Sequence, residues 1–158
     1  MKLIRFCALF VCLSFLTSAA VAGPLDLRVR GVGVGTSYKT LLKKLGRPAA
    51  RRTGGTFPCD EEGVMMTLEY DGLTVKLIRG SKRRYFVAAM TVTGAGRTVS
   101  GARIGMRTAA VRKLFGREQS SDRTKESETL AYYIADGFAR FVFRAGRLVR
   151  VEWELNLC

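Results

Sequence analysis

The segment Val34-Gly35-Thr36-Ser37-Tyr38-Lys39-Thr40-Leu41-Leu42-Lys43-Lys44-Leu45-Gly46-Arg47 recurs seventy positions later as Ile104-Gly105-Met106-Arg107-Thr108-Ala109-Ala110-Val111-Arg112-Lys113-Leu114-Phe115-Gly116-Arg117. Each copy reads as a β-branched residue and glycine, two or three polar or small residues, one short helix, then Gly-Arg. Gly46 and Gly116 stand where a left-handed residue ends a helix, and Thr36 or Ser37 can cap the first helix by accepting an orphan N–H. Tyr38, Leu41, Leu42 and Leu45 form one apolar stripe, answered in the second copy by Val111, Leu114 and Phe115. A chain that carries the same helix twice is expected to fold as two copies of one unit.

Residues 1–22 read as an export leader: Lys2 and Arg5 at a basic start, an apolar run from Phe6 to Leu16, and the small-residue cleavage site Ala20-Val21-Ala22. The apolar run falls well short of the roughly 20 residues that span a bilayer. The mature chain is therefore expected to begin at Gly23, to be periplasmic or secreted, and not to span a membrane. Two halves, 23–96 and 97–158, then make up one compact domain. Cys7 and Cys12 leave with the leader. Cys59 and Cys158 remain, and an even count in an oxidising compartment predicts one disulfide, closing a loop of about 100 residues worth up to roughly 4.7 kcal/mol by chain entropy. The net charge of +14 drops only by the two leader cations. Such an excess attracts polyanions and acidic proteins, or simply solvates a surface.

Along the mature chain, Leu25, Leu27 and Val29 alternate with charged residues as a short strand would. The run Gly31-Val32-Gly33-Val34-Gly35 lacks the spacing of a phosphate loop and reads as a close backbone turn. Residues 47–58 are loop by composition, and Cys59-Asp60-Glu61-Glu62-Gly63 is a solvated acidic turn without calcium-loop spacing. Asp71-Gly72 between two apolar runs predicts a hairpin pairing Met66, Leu68 and Tyr70 with Leu77, Val75 and Leu73. A basic loop, Gly80 to Arg84, leads to a strand from Tyr85 to Thr93 with Phe86, Ala88, Met90 and Val92 on one face. Gly94 to Arg97 joins the copies.

In copy two a polar loop runs from the helix to Glu128, and three strands follow. An Asp136-Gly137 turn would pair Ile134 with Ala139, Tyr132 with Phe141 and Leu130 with Phe143. A three-residue loop, Arg144-Ala145-Gly146, would then set Val149, Val151, Trp153 and Leu155 on the same face. The fold class expected is α+β: two tandem αβββ halves forming a largely antiparallel sheet, with short helices on the Phe141/Trp153 face and the opposite face free.

The chain has no histidine, which removes the usual general base and zinc ligand. Glu69, Asp122, Glu126, Glu128, Glu152 and Glu154 show no ordered carboxylate pair, and Ser121 with Lys125 lies in a loop. No catalytic residue, metal site or cofactor is expected. Cations and aromatics carry more information. Lys82, Arg83 and Arg84 occupy the second connection of copy one, with Arg144 and Arg147 in the corresponding connection of copy two. Arg140, Arg144 and Arg150 share a sheet face with Tyr133 and Phe138, a composition that suits either an interface or a solvated face.

The repeated β-branched-Gly, polar pair, short helix and Leu45-Gly46-Arg47-Pro48, followed by a meander, resembles the β-lactamase-inhibitor-protein-like module, shared in outline with small outer-membrane assembly lipoproteins. That resemblance implies a continuous sheet from two tandem copies whose free face binds a target protein. The function expected is a non-catalytic exported protein-binding module, an enzyme inhibitor or envelope accessory protein whose partner is another exported or envelope protein. The alternative is a basic protein binding an acidic polymer: lipopolysaccharide, acidic glycan or nucleic acid.

Overall fold

The computed structural model describes residues 25–55, 64–80, 83–135 and 137–157. The leader, Lys82 and the expected Cys59–Cys158 bridge lie outside the described residues. In chain order the elements are α1 (Tyr38–Leu45), β1 (Ala50–Thr53), β2 (Met66–Tyr70), β3 (Leu73–Arg79), β4 (Tyr85–Val92), β5 (Thr98–Val99), β6 (Ala102–Arg103), α2 (Thr108–Phe115), β7 (Ser120–Arg123), β8 (Ser127–Ile134), β9 (Gly137–Arg144) and β10 (Arg147–Leu155). Eight strands form one antiparallel sheet in the order β1-β2-β3-β4-β10-β9-β8-β7, and β5 pairs with β6 alone. This corrects the α+β expectation. Among the described residues the protein is mainly β, with two eight-residue helices, and each helix precedes four sheet strands rather than three.

The additional strands, β1 and β7, fall in segments that read as loops. Ala-Arg-Arg-Thr and Ser-Ser-Asp-Arg have no apolar alternation because both are edge strands with little to bury; like charges on such edges discourage edge-to-edge pairing between copies of the chain. Conversely, Leu25 to Val29 alternates as expected but forms no regular strand. Leu27 and Val29 are buried, while the backbone makes only isolated bridges, Leu25 to Ile134 and Val29 to Val32.

The duplication extends through backbone detail. Val29 and Val32 flank a tight turn with Arg30 at φ 50° and Gly31 at 74°, and seventy positions later Val99 and Ala102 flank Ser100 at 44° and Gly101 at 92°. Ser37 caps α1, its Oγ accepting from the Thr40 N–H at 3.3 Å, while Arg107 at the same place makes no side-chain cap. The Gly35 N–H donates to the Val87 carbonyl and the Val87 N–H to Thr36; Gly105, Leu148 and Met106 repeat the pattern. Gly46 and Gly116, both at φ 79°, end the helices, and each carbonyl accepts a tyrosine hydroxyl, Tyr70 at 3.1 Å and Tyr132 at 3.2 Å.

Strand register follows the expectation in copy one, where Tyr70 pairs with Leu73 and Met66 with Leu77. In copy two the turn moves back one residue, so that Ile134 pairs with Gly137, Tyr132 with Ala139 and Leu130 with Phe141. Gly137 is needed in the strand: a Cβ there would collide with the Glu154 carbonyl oxygen. The β9–β10 loop is also shorter than expected. Arg144 pairs with Arg147 across Ala145-Gly146, both at positive φ, and a bulge between Leu148 and Arg150 corrects the alternation. Leu148 therefore enters the core in place of Val149. A register shift between Lys76 and Leu77, where β3 meets β4, does the same in copy one, sending Val87 to the main core and Ala88, with Phe86, to the opposite face.

One core unites both halves between the helices and the sheet, with Leu41, Val111, Phe141, Phe143 and Trp153 all buried. Phe115 of α2 lies 5.1 Å from Phe141, centroid to centroid. Leu114 is 49% exposed, lying off the stripe near Gly101. Its counterpart Lys44 instead donates to the Gly31 carbonyl at 2.7 Å. The opposite face is not wholly free: in copy one Ile78, Ala88 and Ala89 are buried with Met65, Phe86 and Leu157 packed around them.

The flank of α2 is held by charge. Arg112 Nη2 and Nε donate to Glu118 at 2.7–3.2 Å, and Nη2 reaches Glu128 at 3.2 Å. The Arg112 bonds hold the Glu118 carboxyl down to about 2 from an ordinary 4.5. Burial, followed by the Glu118 charge, pushes the Tyr132 phenol up to about 12.

Two predictions follow from these fastenings. Tyr70→Phe and Tyr132→Phe should each cost about 1 kcal/mol, the net worth of one hydrogen bond. The two losses should add in the double variant because the sites share no partner, as read from urea midpoints at unchanged m-value. Because the folded Glu118 pKa lies below its unfolded value, its contribution is full above about pH 4.5 and is lost as pH falls toward 2. Glu118→Gln should therefore be less stable than wild type at pH 7, with the gap between their melting temperatures closing across that window.

Candidate binding face

Alternation along β8, β9 and β10 turns Phe141, Phe143, Val151 and Trp153 inward and leaves Tyr133, Phe138, Arg140, Arg144 and Arg150 on the face away from the helices. Tyr133 and Phe138 are directly paired across β8 and β9. Their rings stand 5.5 Å apart, tilted by 50°, and are 56% and 39% exposed. The Tyr133 N–H donates to the Gln119 side chain at 2.9 Å, which fixes that end of the strand.

Phe138 separates two depressions. One of about 140 Å³ lies where the halves meet, lined by Lys76, Thr91, Arg140, Glu152 and Glu154 with Phe138. The other, about 500 Å³, runs past Tyr133, Ile134, Gly137 and Asn156. Arg140 lies two residues along β9 from Phe138 on the same face, roughly 7 Å away at strand rise. Its guanidinium approaches Glu154 at 3.5 Å and Glu152 at 3.8 Å, and Arg150 reaches Glu152 at 3.2 Å. The face is therefore a mixed lattice of charge around an aromatic pair. Glu152 and Glu154 belong to it, and so does Lys76. The alternation of β10 signalled that the two glutamates face solvent, but not that they meet Arg140.

The other predicted residues do not gather here. Arg144 is six residues from Phe138 along β9, roughly 20 Å, at the far end of the sheet. Arg83 and Arg84 are exposed at the start of β4, and because β4 runs antiparallel to β10, that hairpin tip lies at the opposite end from the tip carrying Arg144. The two basic connections expected to act together are thus held apart. Among the described residues no group of three or more metal-ligating side chains occurs, and no helix is long and apolar enough to cross a membrane.

No family model and no curated protein matches the sequence. Solved structures do share the fold. A Staphylococcus aureus protein described as a cysteine-rich secretory protein is 14% identical over 84% of this chain and 47% of its own, with a TM-score of 0.55. An extracellular protein containing an SCP domain, from Bacillus anthracis, is 16% identical over 85% of this chain and 49% of its own, with a TM-score of 0.54. The chain spans about half the length of each. A Streptococcus mutans protein provisionally assigned as a β-lactamase inhibitor protein is 13% identical over 77% of this chain and 84% of its own, but its TM-score of 0.30 is too low to equate the two folds. The sheet architecture itself is shared with parts of larger proteins.

Proposed function

We propose that this protein is an exported, non-catalytic module that holds another exported or envelope protein against the open face of its second half, as an inhibitor or an accessory subunit. The observation that carries this reading is the exposed Tyr133–Phe138 pair beside Arg140. Aromatic and arginine side chains dominate the energetics of protein interfaces, and the sheet does not need this pair for its core. The leader-like residues 1–22 support export, and the description of the Bacillus protein as extracellular accords with it. Glu152 and Glu154 weigh against the polyanion reading at this face, because they offset Arg140 and Arg150 where a polyanion would need uncompensated cations.

Phe138→Ala and Tyr133→Ala should leave the melting temperature nearly unchanged, whereas Phe141→Ala should cost about 3–5 kcal/mol of stability. With a partner captured from periplasm or culture fluid, Phe138→Ala should weaken binding at 200 mM salt at least tenfold, and Arg84→Ala should not. A polyanion complex would instead lose about 10³-fold between 50 and 200 mM salt for some six neutralised charges. That steep slope, together with indifference to Phe138→Ala, would replace this function with the polyanion alternative.

A further inference from the structure

The two halves differ where each helix flank meets its edge strand. In the second half that place is filled: Arg112 of α2 bonds Glu118 and Glu128, and the Thr108 hydroxyl donates to Glu128 at 3.4 Å. Stepping back seventy positions, Thr108, Arg112 and Glu118 become Tyr38, Leu42 and Pro48. Glu128 becomes Met66, since Tyr132 and Tyr70 hold equivalent carbonyls. No ion pair can form among these residues, and an open groove of about 530 Å³ remains, floored by Tyr38, Leu42, Pro48 and Ala49 and bounded by Ala50 and Arg51 of β1.

The rims of this groove are cationic. Arg47 and Arg51 line the strand side, with the Arg51 guanidinium 5.9 Å from the Tyr38 ring centre. At about 100° per residue, Lys39 and Lys43 project one row outward from Tyr38 and Leu42 along the helix side. All four cations are exposed, and none forms a salt bridge among the described residues. No strand among the described residues lies beside the outer edge of β1. Among the described residues an apolar floor, four cations without a salt bridge and an outer strand edge occur together here, a combination the other half does not repeat.

We infer that this groove binds an extended acidic peptide segment of a partner protein, which adds a strand to the β1 edge, seats one apolar side chain on Tyr38 and Leu42, and sets carboxylates against Arg47, Arg51, Lys39 and Lys43. Strand addition gives main-chain hydrogen bonds and the pockets beside it give side-chain selectivity. The open edge favours a peptide over an anionic lipid, which would use the charges but not the backbone. The groove is separate from the Tyr133–Phe138 face and does not depend on it.

The test uses the second half's own residues to close the groove. Leu42→Arg with Pro48→Glu should recreate the Arg112–Glu118 pair, and Arg51→Ser copies Ser121. The probe is a fluorescein-labelled peptide, Glu-Val-Glu-Leu-Glu-Val-Glu, followed by anisotropy at 150 mM salt, with Lys-Val-Lys-Leu-Lys-Val-Lys and a backbone N-methylated copy as controls. The wild type should bind the acidic peptide and neither control. The double variant should bind at least tenfold more weakly at an unchanged melting temperature, Arg51→Ser should bind severalfold more weakly, and Phe138→Ala should bind as the wild type does. Failure of the wild type to bind, equal binding by the double variant, or equal binding of the N-methylated peptide would overturn the inference. So would capture of phosphatidylglycerol vesicles in place of the peptide.

Discussion

Pairing between β4 and β10 is the constraint on which the rest depends. Val92 meets Val151 and Met90 meets Trp153 along that seam, so the strongest apolar strand of each half is completed by the other instead of being left as an edge. A helix on four strands is a small unit, with a poor ratio of buried to exposed surface. Joined through the seam, the two units share one core in which Leu41 of the first helix and Val111 of the second are both fully buried. The seam also pushes the polar strands β1 and β7 to the outside, where like charge discourages edge-to-edge pairing between copies.

Within that frame the halves keep identical solutions where the helix must be fixed to the sheet. The reciprocal bonds of Gly35 and Thr36 with Val87 recur as those of Gly105 and Met106 with Leu148, and the tyrosine hydroxyl on the helix-ending glycine recurs as well. The helix flanks, by contrast, diverge freely. Replacing a partly buried ion-pair network by apolar side chains of similar size is often neutral for stability. The exchange of Arg112, Glu118 and Glu128 for Leu42, Pro48 and Met66 could therefore arise without loss of the fold. It leaves one flank satisfied within the chain and the other open, with cations on its rim.

The open sheet face obeys a similar logic. Its cations and carboxylates interleave along β10 and across to β9, so that Arg150 meets Glu152 and Arg140 meets Glu152 and Glu154. The side chains left with large uncovered surfaces near that lattice are aromatic. On the proposed function, this surface would distinguish partners by shape and apolar contact, with the cationic segments around α1 and β1 supplying long-range attraction.

Much of this was readable in the residues. The repeat, both helices with their glycine ends, the Asp71-Gly72 hairpin register and the inward set of Phe141, Val151 and Trp153 follow from local conformational preference and period-two alternation, which act over a few residues. The edge strands were not readable, because Ala50–Thr53 and Ser120–Arg123 are strands only by virtue of their neighbours β2 and β8. Neither were the register shifts near Lys76 and Val149, which reassign Val87 and Leu148 to the core, nor the one-residue displacement of the β8–β9 turn from Asp136-Gly137. The candidate sites depend on tertiary structure still more heavily. Sequence spacing placed Arg83, Arg84 and Arg144 in corresponding connections, but an antiparallel seam puts corresponding points of the two halves at opposite ends of the sheet. What the sequence by itself determined was which residues alternate, cap and turn. Which cations are neutralised, which groove stays open and which aromatics stand uncovered was decided by strand order, since that alone sets which distant side chains come within reach of one another.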